Sequence, residues 1–150
     1  MKSMKNRHII AGLAITLSFL LVGCGDGAES RLHGSWENIQ GHVFTFKPGG
    51  EMNWIYPSGT SNDTFDIQYT YDGSTEPNTL DFYGFESGPL QGATLYGIVK
   101  FIDLEGKEVI RCNFNRGQDA SARPEEFLTR RRTLYMRQEY IDEFKEEQRN

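Results

Sequence analysis

The chain has 150 residues, 16 Lys and Arg against 21 Asp and Glu, and 10 Phe, 7 Tyr and 2 Trp. Its first 23 residues read as an export signal, which leaves 127 residues with 13 basic and 21 acidic side chains. That length suits one domain, and that charge argues against a nucleic-acid binder and against an anionic-membrane surface binder, both of which need a basic face. All but one of the aromatics fall in this part, too many for a disordered spacer.

Lys2, Lys5 and Arg7 form a positive n-region, and Ile9 to Val22 is a run of 14 uncharged residues. The run suits a signal h-region and is too short for an ordinary membrane span. It ends in Leu21-Val22-Gly23-Cys24, an aliphatic residue three before and a small residue just before a cysteine, which resembles the lipobox of bacterial lipoproteins. The resemblance implies a diacylglycerol thioether on Cys24, cleavage before it, and usually acylation of the new terminus. At about 0.8 kcal/mol per buried methylene, one acyl chain anchors marginally, whereas two or three anchor stably. The expected organisation is a signal peptide over 1–23, a lipidated tether over 24–31 and a folded domain over 32–150. Gly25 to Ser30 are small and polar, as a tether requires. The expected address is the bacterial cell envelope, with the membrane as a partner through Cys24. In lipoproteins of two-membrane bacteria an aspartate directly after the lipidated cysteine favours the inner membrane. Gly25 holds that place here, which points to the outer membrane, facing the periplasm.

From Gly34 onward, eight runs of strand-like residues are bounded by Gly, Pro, Asn or Asp. They are Gly34 to Ile39, His42 to Phe46, Glu51 to Tyr56, Asp63 to Tyr71, Thr79 to Phe85, Leu95 to Ile102, Lys107 to Phe114 and Thr133 to Arg137. The fourth alternates most clearly, with Phe65, Ile67, Tyr69 and Tyr71 on one face and Asp66, Gln68 and Thr70 on the other. Lys47-Pro48-Gly49-Gly50 makes a turn, and Asp103-Leu104-Glu105-Gly106 makes a hairpin connection in which Gly106 takes the left-handed position. Tyr140 and Phe144 are four apart, so a short C-terminal helix would lay them on one surface; a frayed end is the alternative. Eight strands joined mostly by tight connections, with no long helix between them, exclude a βαβ sheet. The expected fold is all-β: an eight-stranded antiparallel up-and-down barrel, whose closure removes exposed pairing edges, with a two-sheet sandwich as the alternative.

Two sets of residues add a resemblance. Gly34-Ser35-Trp36 on the first strand is similar to the Gly-x-Trp signature of lipocalins and related calycins. Tyr71-Asp72 with Pro77, Leu80-Asp81-Phe82, Tyr96-Gly97-Ile98, Cys112, Arg123-Pro124-Glu125-Glu126-Phe127 and Leu134-Tyr135-Met136-Arg137 resemble, in that order, a family of bacterial lipocalin-like domains. The match spans about Leu32 to Glu139 and departs at the sixth-to-seventh hairpin, where Lys100 to Glu108 is longer than the family's usual turn. The resemblance implies a lipocalin-like barrel and no catalytic residues. It also implies that Trp36 closes one end, with Arg137 as the arginine that lies across it.

Chemistry is hard to find. There is no Gly-x-Ser-x-Gly elbow, and the mature part offers only His33 and His42, whose spacing matches no standard zinc site. Carboxylates such as Asp66, Asp81, Glu125 and Glu126 suggest a glycosidase only until the 21 acids are counted, because chance pairs then abound. Cys112 sits among apolar neighbours that raise a thiol pKa, and reads as a small buried side chain. Arg130-Arg131-Arg132 could meet lipid phosphates or an acidic partner, or simply discourage strand pairing at a solvated edge. The expectation is therefore a non-enzyme without cofactor or metal. The first reading is a binding module whose barrel holds a small apolar or amphiphilic ligand, with Phe46, Trp54, Phe65, Ile67, Tyr69, Phe82, Ile98 and Ile110 as candidate lining. The second is a structural or protein-interaction module of the envelope.

Overall fold

A computed structural model describes residues 26–147. The signal segment, the lipobox and Cys24 lie outside the described residues. A short helix, α1 (Asp26–Glu29), leads into eight strands: β1 (Gly34–Glu37), β2 (Val43–Phe46), β3 (Glu51–Ser58), β4 (Ser61–Asp72), β5 (Asn78–Tyr83), β6 (Thr94–Leu104), β7 (Lys107–Gly117) and β8 (Leu134–Arg137). Each strand pairs antiparallel with the next, and β8 returns to β1, closing an up-and-down barrel compatible with a lipocalin-like fold. A helix, α2 (Ile141–Glu147), follows.

The strands form because one face of each carries large apolar residues that can reach a shared interior. Phe44 and Phe46 of β2, Met52 and Trp54 of β3, Ile67 and Tyr69 of β4, Leu80 and Phe82 of β5, and Ile110 and Cys112 of β7 are buried in one cluster. Burying each of the larger side chains is worth about 1.5–3 kcal/mol, far more than any one polar contact on the wall. Aromatic edges and faces interlock there: Phe44 stacks on Tyr135 at 4.5 Å and meets Phe82 edge-on at 5.1 Å. Gly97 of β6 makes room for this packing. A Cβ at that position would overlap the Phe114 ring and lie 2.5 Å from the Leu80 carbonyl oxygen.

Strand ends differ from the sequence reading where a local device overrides composition. β3 and β4 run on through polar residues to Ser58 and Ser61, because the two-residue turn at Gly59 and Thr60 lets the ladder continue past the core. β6 and β7 likewise extend to Leu104 and Lys107. The turn between them gives both Glu105 (φ 54°) and Gly106 (φ 81°) the positive φ that a type I′ hairpin requires. β1 instead stops short of Ile39, because the Asn38 Oδ1 accepts from the backbone N–H groups of Gln40 and His42 and bends the chain.

The seam between β1 and β8 is the narrowest, with only Trp36 opposite Arg137 and Glu37 opposite Met136. Side chains reinforce it. Trp36 is fully buried, its Nε1–H donates to the Leu32 carbonyl at 2.7 Å, and the Arg137 guanidinium carbon stands 3.8 Å from its ring centroid. Arg137 also donates to the carbonyls of His33 and Arg31 at 2.6 and 2.7 Å. On the outside, Ile141 and Phe144 of α2 pack on Val109 and Met136, while Lys145 donates to the Glu37 carboxylate at 2.6 Å.

Two substitutions test this packing by chemical denaturation. Gly97→Ala should cost about 1–3 kcal/mol through overpacking against Phe114. Arg137→Lys keeps the charge but cannot span Trp36 and two carbonyls at once, and should lose about 1–3 kcal/mol. Unchanged stability in either variant would contradict the corresponding contact.

Candidate functional site at the barrel mouth

An up-and-down barrel divides its connections between two ends. Near Trp36 lie α1, the β2–β3, β4–β5 and β6–β7 turns, and α2. Here Leu32 is fully buried, and the Tyr69 hydroxyl lies 3.1 Å from Glu29 Oε1 and 3.0 Å from the Lys47 carbonyl oxygen; a depression of about 250 Å³, lined mainly by polar surface, lies beside the β4–β5 turn against Arg31, Glu76 and Lys100. The opposite end is framed by the β1–β2, β3–β4, β5–β6 and β7–β8 connections, and it holds a pocket of about 250 Å³.

Phe44, Trp54, Phe82, Leu95, Cys112, Phe114 and Tyr135 form its apolar walls; Asn38, Gln40, His42, Asn113, Arg132 and Thr133 form a polar rim, with Leu128 among them. The rim is tied together. Asn38, almost fully buried, donates from Nδ2 to the Arg132 carbonyl at 3.0 Å, joining the β1–β2 turn to the connection before β8. The Asn113 Oδ1 accepts the Leu128 N–H at 3.2 Å. Leu128 is 49% exposed, so an apolar side chain stands at the pocket edge.

Trp54 is the hub of the walls, within 6.4 Å centroid to centroid of Phe44, Tyr56, Phe65, Phe82 and Phe85. Its Nε1 is buried and has no hydrogen-bond partner, and the same holds for the Nδ1 of His42, whose ring lies 6.1 Å from that of Trp54. Buried polar groups are nearly always satisfied, and an orphaned one costs about 1–3 kcal/mol. Two such atoms on residues lining one small pocket are what a binding site offers to an incoming polar group. Burial holds the His42 pKa below 6.5, so the imidazole is neutral at neutral pH. Burial also pushes the Cys112 thiol and the Tyr135 phenol well above their ordinary values, so both stay protonated at neutral pH.

Of the eight residues expected from sequence to line a ligand site, Trp54 and Phe82 wall the pocket. Phe65 packs beside Trp54 and Phe85, half-buried. Phe46, Ile67, Tyr69 and Ile110 belong to the buried fill of the barrel. Ile98 is buried too, but on the outer face. Leu95, Gly97 and Val99 take the inner positions of β6, so strand alternation turns Ile98 outward with Tyr96 and Lys100. There the β7–β8 connection covers it, fastened by Arg123 to the Asp81 carboxylate and the Gly97 carbonyl and by Leu128 to Asn113. Asn38 and His42, at the rim, lie in a turn and give no periodic signal. The only cue to Asn38 is an Asx-type residue just before Gln40-Gly41.

Two larger depressions, about 460 Å³ beside Lys47, Glu51 and Asp66 and about 630 Å³ beside Gly92 and Arg116, lie outside the barrel and contain none of the unpartnered buried atoms. Among the described residues no three His, Cys, Asp or Glu side chains gather as a possible metal site. The chain matches no family model, no curated protein and no solved structure.

The His42 shift fixes a pH dependence. Because the folded pKa lies below the unfolded value, the unfolded chain takes up the proton first. This contribution is complete above pH 6.5 and is lost as pH falls below it. In a His42→Asn variant, stability should therefore fall less steeply below pH 6.5 than in the parent. Equal slopes would contradict a desolvated His42.

Proposed function

We propose that this chain is a lipid-anchored envelope protein whose barrel mouth binds a small, largely apolar ligand carrying one hydrogen-bonding group. The observation that carries the reading is that Trp54, whose buried Nε1 has no partner among the described residues, lines a pocket walled by aromatic rings. An indole N–H is a donor only, so the ligand's polar group is an acceptor, such as a carbonyl, hydroxyl or carboxylate oxygen. Neutral His42 supplies a second hydrogen-bonding position. The volume supports a ring or a short chain. Sites for larger ligands usually measure about 300–1,000 Å³, and the remainder of this interior is occupied by side chains.

The anchor rests on the lipobox-like Leu21 to Cys24 and on the signal before it. The geometry of the domain agrees with this use. Its N-terminal segment leaves from the Trp36 end, where Glu29 meets Tyr69, so an anchor at Cys24 would put the mouth at the far end from the bilayer. A ligand could then enter from the aqueous side. The proposed role is capture and presentation without chemistry.

The test is native mass spectrometry of the chain released from its membrane, together with proton NMR of the Trp54 indole during titration with phenol and benzoate. One retained small molecule per chain that Trp54→Phe no longer holds, or a saturable shift of that indole proton in the parent, is expected. No retained molecule and no shift with either probe would overturn the reading and favour a protein-interaction module.

A further inference from the structure

The outer wall carries a second feature that the mouth does not explain. Lys100 of β6 and Arg111 of β7 are direct cross-strand partners. Both lie on outward positions of their strands, since Val99, Ile110 and Cys112 take the inward ones. Like charges directly opposite in an antiparallel pair oppose folding. Five other cations of the domain are ion-paired: Arg31 and Arg137 with Glu108, Lys107 with Glu143, Arg123 with Asp81, and Lys145 with Glu37. Lys100 and Arg111 have no ion-pair partner among the described residues, although acids outnumber bases in the chain.

The pair is also structured. Arg111 is half-buried beside Leu134, its cross-strand partner in β8, and its Nε is buried without a hydrogen-bond partner. The Lys100 ammonium is held 4.6 Å from the centre of the Phe127 ring, which restricts it to the edge of the β7–β8 connection. Lys100 is exposed, and an anion placed between its ammonium and the Arg111 guanidinium would offset the repulsion across the pair. We infer that Lys100 and Arg111 form an oxyanion site on the barrel wall, selective for a phosphate-class group that accepts hydrogen bonds from both. Arginine supplies the directional fork and lysine the point charge, the combination that suits tetrahedral phosphate oxygens. The group comes either from a free phosphate or from the headgroup of an anionic lipid.

The experiment uses the full chain in neutral detergent micelles and follows the Arg111 Nε–H resonance. Inorganic phosphate is titrated in one arm, and phosphatidylglycerol is added to the micelles in the other. A saturable shift in the phosphate arm identifies a free anion, and a shift with phosphatidylglycerol alone identifies the headgroup; either supports the site. Lys100→Gln should weaken binding at least about tenfold, as expected for losing one of two charge-assisted hydrogen bonds, whereas Lys47→Gln at the far turn should leave it unchanged. Lys100→Glu separates this role from a structural one. Replacing repulsion with attraction should raise Tm by about 2 °C or more without ligand, and should abolish the phosphate response. No shift in either arm, or binding unaffected by Lys100→Gln, would overturn the inference.

Discussion

Closing the sheet on itself depends on a seam of two residue pairs, and much of the molecule is arranged to hold that seam shut. Trp36 and Glu37 meet Arg137 and Met136, whereas β6 and β7 share eleven pairs. A ladder this short cannot resist fraying by hydrogen bonds alone, since each contributes about 0.5–1.5 kcal/mol net. The missing stabilisation comes from side chains on both faces. Inside, Arg137 lies over Trp36 and reaches two carbonyls of the incoming N-terminal segment. Outside, α2 lays Ile141 and Phe144 across the joint and places Lys145 on Glu37. A residue at the start of the domain and one near its end thus fix each other, and the eight strands between them share one interior.

That interior is asymmetric, and the asymmetry separates support from site. At the Trp36 end Leu32, Phe46, Met52 and Tyr69 are packed into the interior, with Glu29 and the Lys47 carbonyl around the Tyr69 hydroxyl. At the other end the side chains stop short of the rim, leaving a small pocket whose Trp54 and His42 nitrogens lack partners. The dense packing below the pocket makes it shallow, and the Asn38 clamp between two connections keeps its rim in place. A shallow, pre-formed pocket with few polar positions selects by shape first and by one hydrogen bond second.

The fold was legible because its signal is periodic. Phe65, Ile67, Tyr69 and Tyr71 announce β4 by strict alternation, and turn residues mark nearly every connection. Strand ends were less legible. The polar arms at Ser58 and Ser61 and at Leu104 and Lys107 are strands because of turn geometry, which composition does not carry. β6 hides its faces for another reason: Ile98 and Val99 are adjacent and both fully buried, one under the β7–β8 connection and one in the barrel, so hydrophobicity cannot tell in from out. The site was the least legible part. A large apolar residue on an inward face fills a core or lines a pocket according to where it stands along the barrel axis, and sequence alternation reports only the face. Trp54 and Phe82 stand near the mouth, whereas Phe46 and Ile110 do not line it. Asn38 and His42 act from a turn, where no periodicity exists to expose them.

The closure itself is open to direct measurement. Nuclear Overhauser contacts between backbone protons of Trp36 and Arg137, and of Glu37 and Met136, would be seen at full strength in the folded chain if the first and last strands are joined. Their absence, with the contacts between β6 and β7 intact, would show an open sheet and contradict the account of both the interior and its mouth.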